Sequence, residues 1–419
     1  MGEAAQGMRH AALDRRLVEA TRGIRLLGSL SWPASVQRRF LADWAAGRAM
    51  LPDVAYPRFD FAATRAELAA IAAAADRGHP VGDYIARSAS SWRIATALID
   101  AAGTPAITTH SSALFGRPGD PLPGATQTSL DAARHFIAIA DEFHEGSLAD
   151  EPVLPLDADA VAAGLQQDVD GLFGTGVVRV ESDPELIAKA AAGATRIRLR
   201  AGTHFTAYDR RQLLEHEAFV HTLTALNGRA QPLLQSLARA SPRSTATQEG
   251  LAVFAELVSG SIDIARMRRI SLRILAIQQA LDGADFIQVF RFFLEAGQNE
   301  TDSFASAMRV FRGAPLGGGA AFTKDAVYLH GLLSIHTFFR WALRHQRMVL
   351  CDYLFAGKLA LRDVLALEPC FADGQLAPPL YRPPWLRQAR GLAGTLAFSL
   401  FANRIRLERV QAEDLLLAL

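Results

Sequence analysis

Two histidines five positions apart, with a glutamate directly after the first, constrain this chain more than any other feature. They lie in His216-Glu217-Ala218-Phe219-Val220-His221. In a helix of about 3.6 residues per turn, side chains four apart sit within about 40° of each other, and side chains five apart sit about 140° apart. The two imidazoles can meet only if the helix takes in one extra residue. A π-bulge does this, and such bulges favour functional sites. The spacing predicts a local widening between His216 and His221. Its alternative is two rings that point apart and share nothing.

The flanking residues support a helix. Leu213, Leu214, Phe219, Val220, Leu223 and Leu226 are apolar, and Asn227-Gly228 reads as its C-terminal stop. A second motif follows, Gln248-Glu249-Gly250-Leu251-Ala252. Ser244 or Thr245 is placed to cap a helix from about Thr247 to Val258, ending at Ser259-Gly260. Glu249 then lies in its first turn. Packed antiparallel on the first helix, it can offer a carboxylate to the same point as the two imidazoles. Two histidines, a distant glutamate and an unengaged glutamate make up a hydrolytic zinc centre: three ligands, one open position and a base. Each piece also has an ordinary reading. Histidines commonly pack without binding metal, and Glu249 also suits the positive end of a helix dipole.

The stretch also resembles a known family. The segments that carry the resemblance are Ala188-Lys189-Ala190, Arg198-Leu199-Arg200, His204-Phe205, the H-E-x-x-x-H run, Asn227-Gly228 and Gln248 to Ala252. Beyond them come Gly283 to Phe286, Arg309 to Gly313 and Phe322 to Asp325. Together they resemble bacterial proteins named for the QEGLA motif and labelled flavohaemoglobin expression-modulating. Their eukaryotic relatives are the microtubule-associated tyrosine carboxypeptidases, which remove the C-terminal tyrosine of α-tubulin. The resemblance implies zinc ligation by His216, His221 and Glu249, one ion per chain, with Glu217 as the catalytic glutamate. It covers about residues 155 to 400.

These readings combine into an expectation. The fold is α+β, predominantly helical and zincin-like, with a small sheet beside the metal helix. Residues 1–150 form a helical N-terminal region and 151–419 the catalytic domain. The activity is metallocarboxypeptidase hydrolysis of a peptide or protein C-terminus, possession of an aromatic terminal residue being one option. A water activated by zinc is the nucleophile, and Glu217 takes its proton. A carboxypeptidase also needs a cation for the terminal carboxylate and a donor for the oxyanion. Arg312, Lys324 and Arg309 are candidates for the first, Tyr328 and His204 for the second. The alternatives are a regulatory protein on the same scaffold and a hydrolase of a non-peptide amide.

Helical patterns cover 10–30, 34–48, 62–77, 80–101 and 127–146, broken at 116–124 and 151–156. Later ones cover 263–282, 284–297, 299–312, 324–347 and 387–403. Strands are expected at Val177 to Val180 and at Arg196 to Arg200, where charged and apolar residues alternate. By analogy with zincins, the second is expected to be an edge strand that holds substrate backbone. A net charge of +1 gives no general attraction for nucleic acid or anionic membrane. Cys351 and Cys370 form no C-x-x-C and no disulfide framework. The first residues lack a signal-peptide apolar core, and no apolar run reaches about 18 residues. A soluble cytoplasmic protein is expected. The sequence does not fix its oligomeric state.

Overall fold

The structure is a computed structural model that describes residues 3–145, 155–186 and 189–402. The break expected at 151–156 lies mostly outside these residues, as does Ala188. The protein is predominantly helical with one small sheet, an α+β arrangement. Helices at Ala34–Ala45, Ala62–Ala74, Pro80–Asp100 and Ser129–Glu145 match the expected periods closely. The first pattern divides into Glu3–Thr21 and the short Leu26–Ser29. The longer helices Ala106–Phe115 and Ala158–Phe173 were not expected, nor were the short Val349–Tyr353, Leu361–Ala366 and Glu368–Ala372.

The sheet has strands β1 (Arg179–Asp183), β2 (Ala190–Ala192) and β3 (Arg196–Arg200) in the order β1-β3-β2. Strand β3 pairs parallel with β1 and antiparallel with β2. It buries Ile197 and Leu199 and turns its arginines outward, as a two-residue period requires. Leu199 packs with Val161, Leu165 and Phe205, which seats helix Ala158–Phe173 on the sheet. The expected edge role of Arg196 to Arg200 is thus overturned, because both sides of β3 are already paired. The edge nearer the helix that carries the two histidines is β2, and Thr222 Oγ1 donates at 2.9 Å to the carbonyl of Gly193, directly after that strand.

One buried cluster runs through both segments of the chain. It includes Leu13, Leu30, Trp32 and Phe40 as well as Phe286, Phe290 and Phe304. Phe40 meets Phe286 and Phe290 edge-on, with ring centroids 5.3 and 4.9 Å apart. Edge-to-face packing suits the ring quadrupoles. Four further helices frame the site: α1 (Thr245–Val258), α2 (Ile264–Leu281), α3 (Glu300–Phe311) and α4 (Ala326–Arg344). Helices α1 and α4 cross where Gly250 meets Gly331. A Cβ on Gly250 would collide with the Gly331 backbone, and one on Gly331 with the Ala246 carbonyl. Among the described residues no helix is long and apolar enough to cross a membrane.

Candidate metal centre

The helix carrying the two histidines is α-helical over Ala207–Leu213, widens to a π-helix over Leu214–Thr222 and returns to α over Leu223–Arg229. The extra residue per turn brings the rings together as the spacing requires. Their centroids lie 4.8 Å apart at an interplanar angle of 84°. Lys358 donates to the His221 carbonyl at 3.0 Å, satisfying an acceptor on the widened segment. Asn227-Gly228 is not the stop, since the helix runs on to Arg229. Asn227 instead clamps two distant segments, donating to the Phe355 and Tyr381 carbonyls and accepting from Tyr381 N–H. Gly228 is needed for close approach of the Leu237 carbonyl.

Helix α1 begins at Thr245, directly after a 3₁₀ turn over Pro242–Ser244. It ends at Val258, with Gly260 at φ +67°. Each residue of its motif has a separate task. Gln248 accepts from Thr224 Oγ1 at 2.9 Å and Lys358 Nζ at 3.3 Å, tying α1 to the histidine helix. Gly250 permits the crossing with α4, and Leu251 and Ala252 are fully buried.

Glu249 reaches the histidines. Its Oε2 lies 3.6 Å from His216 Nε2 and 3.7 Å from His221 Nε2. All three donor atoms fall within 4.8 Å of one another. Two ligand atoms each about 2.1 Å from a tetrahedral ion stand about 3.4 Å apart, so this donor set fits a zinc ion. Among the described residues these three form the one such cluster of His, Cys, Asp or Glu, with no fourth member.

The sequence reading missed the residue that orients His216. Glu256, two helical turns after Glu249 on α1, is fully buried. It accepts from His216 Nδ1 at 2.7 Å, from Gln212 Nε2 at 2.8 Å and from Arg266 Nη2 at 3.1 Å. Donation from Nδ1 turns Nε2 toward Glu249. A buried carboxylate behind a ligand imidazole fixes both tautomer and ring orientation. The one sequence signal was an acid within the apolar run from Leu251 to Val258.

The electrostatics balance around this cluster. Burial alone would lower the His216 pKa, but the hydrogen bonds to Glu249 and Glu256 overcome it and raise it to about 10. The His221 pKa is lowered by burial, with a further push from His216. Burial would raise Glu249, yet the Lys324 ammonium and both imidazoles hold it well below the usual carboxylate range.

A cavity of about 760 Å³ opens beside this cluster. Glu217 lines it, half-buried, and its carboxylate has no hydrogen bond or ion pair among the described residues. His204, Arg309, Arg312 and Tyr328 also line it. Lys324 does not stand free, because its Nζ lies 3.0 Å from Glu249 Oε1. Arg309 is likewise committed, gripping Asp325 at 2.5 and 2.7 Å. Arg312 has a buried Nε without a partner. Three arginines of α2, Arg266, Arg269 and Arg273, form a stripe on the same cavity that the sequence reading passed over.

The fold and site thus define a helical α+β protein with a candidate His-His-Glu metal centre and an accessible carboxylate at a basic cavity. A family model described as microtubule-associated tyrosine carboxypeptidase matches residues 38–404, and the chain belongs to that family. No curated protein matches the chain.

Proposed function

We propose that the protein is a zinc-dependent metallocarboxypeptidase of zincin-like design. It holds one zinc ion through His216, His221 and Glu249 and removes a residue, aromatic by preference, from a peptide or protein C-terminus. The bound ion would supply a water acidified toward a pKa of about 7 and a polarised scissile carbonyl. Glu217 accepts the proton from the attacking water and later delivers it to the leaving amine. Its unpaired carboxylate at the cavity wall suits both transfers. Arg312 grips the terminal carboxylate through charge-assisted hydrogen bonds. Tyr328, or His204 from the facing loop, donates to the developing oxyanion.

The observation that carries this reading is the convergence of Glu249 Oε2 and the two Nε2 atoms beside an unpaired Glu217. A purely structural metal site closes its tetrahedron with a fourth protein ligand. The three-member cluster favours the catalytic reading over a regulatory scaffold. The test is a panel of peptides with varied C-terminal residues, incubated with the full chain and read by mass spectrometry. Loss of one C-terminal residue is expected, with aromatic ends preferred. Glu217→Gln is expected to keep the metal and to lose activity by about 100-fold or more. A zinc-loaded protein that trims none of the peptides, or a fully active Glu217→Gln, refutes the proposal.

A further inference from the structure

The two carboxylate oxygens of Glu249 do different things. Oε2 faces both histidine Nε2 atoms, at 3.6 and 3.7 Å. Oε1 faces away and takes Lys324 Nζ at 3.0 Å. The lysine side chain is only 11% exposed, and its ammonium stands 5.2 Å from the centre of the Tyr328 ring. Its backbone is anchored on both sides. Thr323 N–H donates to Ser111 Oγ at 2.7 Å, and Asp325 is held by Arg309 through both oxygens. The ammonium is therefore presented from a fixed 3₁₀ turn, Thr323–Asp325.

A carboxylate can bind a cation through one oxygen or two. Two-oxygen binding adds a fifth ligand and crowds the position that a water or a substrate carbonyl takes. We propose that Lys324 is a positioning residue: it occupies Glu249 Oε1 and so restricts Glu249 to one-oxygen ligation, keeping the cavity side of the metal open. This rests on the reading of the site as a metal centre. A lysine beside a divalent ion is repelled by it, so charge balance alone is a poor reason for placing one there. Holding one oxygen away from the ion is a task that an ammonium with fixed donors can do.

The test uses the full chain loaded with Co(II) in place of zinc, comparing wild type, Lys324→Met and Lys324→Arg by visible absorption. Four-coordinate cobalt absorbs several-fold more strongly than five-coordinate cobalt. The wild type and Lys324→Arg are expected to show the strong spectrum. Lys324→Met, checked for folding by circular dichroism, is expected to show a weak one as Glu249 turns both oxygens to the metal. Its kcat on the best panel peptide is expected to fall about tenfold, the scale of a lost outer-sphere contact, with KM changed much less. An unchanged cobalt spectrum in folded, metal-bound Lys324→Met overturns the proposal and leaves the metal centre standing. Failure of the wild type to bind cobalt removes both. Should Lys324→Met not fold, a crystal structure of the zinc-loaded wild type decides. One Glu249 oxygen on the metal supports the proposal, and two contradict it.

Discussion

Glu256 and Asp14 are both completely buried carboxylates, yet they are stabilised in opposite ways. Glu256 lies behind the candidate metal centre with a charged guanidinium and an imidazole on it. Burial would raise its pKa, but the Arg266 charge and the His216 hydrogen bond bring it to about 2. Asp14, on the N-terminal helix, receives Ser236 N–H at 3.0 Å and the Ser236 hydroxyl. Burial raises it to about 6, and these neutral donors offset only part of the rise. The charged cluster keeps an ionised group at a fixed place. The neutral one docks two segments and tolerates a proton.

The comparison is broken most severely by Glu256→Ala. It leaves Arg266 and His216 facing an emptied buried site, and a loss of about 3–5 kcal/mol is expected in denaturant unfolding. Metal affinity, followed by chelator competition, is expected to fall about 10–100-fold. An unchanged affinity would mean that Glu256 does not orient His216.

Asp14 gives the next largest effect, through pH. Its folded pKa lies above its unfolded value, so the protonated form stabilises the fold. That contribution is full below about pH 3.8 and is lost as pH rises through about 6, for a total of about 3 kcal/mol. Asp14→Asn is expected to match wild type near pH 4 and to exceed it at pH 7.5 in urea unfolding. Equal pH slopes in the two proteins would show that Asp14 does not carry this linkage.

Steric fit separates geometry from charge. Gly250→Ala alters no ionisable group but forces α1 away from α4. A loss of about 1–3 kcal/mol is expected, together with weaker metal binding as Glu249 is displaced. Retained stability and affinity would mean that the crossing does not set the position of Glu249. The smallest effect on stability is expected at Arg312, a half-buried cation with no carboxylate partner among the described residues. Arg312→Met is expected to leave unfolding within about 0.5 kcal/mol of wild type while raising peptide KM about tenfold. An unaltered KM would remove Arg312 from the carboxylate site.

What the sequence revealed follows from these same causes. The π-widening was legible because five residues cannot close a turn and a half of α-helix onto one face. Helices such as Ala62–Ala74 and Glu300–Phe311 were legible from their periods. Strand β2 was not, since Ala190–Ala192 carries no β-branched or alternating signal and is defined by its pairing with β3. Asn227-Gly228 read as a stop because local rules cannot register partners as distant as Phe355 and Tyr381. The α2 arginines carried no signal in the sequence beyond a helical pattern, and only the fold turns them to the cavity. Likewise Lys324 and Arg309 read as free cations until their carboxylates were in place.

The claim beneath all of this is that His216, His221 and Glu249 hold a single ion in common. Zinc content of the purified full chain, measured by plasma mass spectrometry beside folded His221→Ala, tests it most directly. About one zinc per wild-type chain and none in the variant is the expected result. A wild type that takes up no zinc, or a variant that keeps it, contradicts the account.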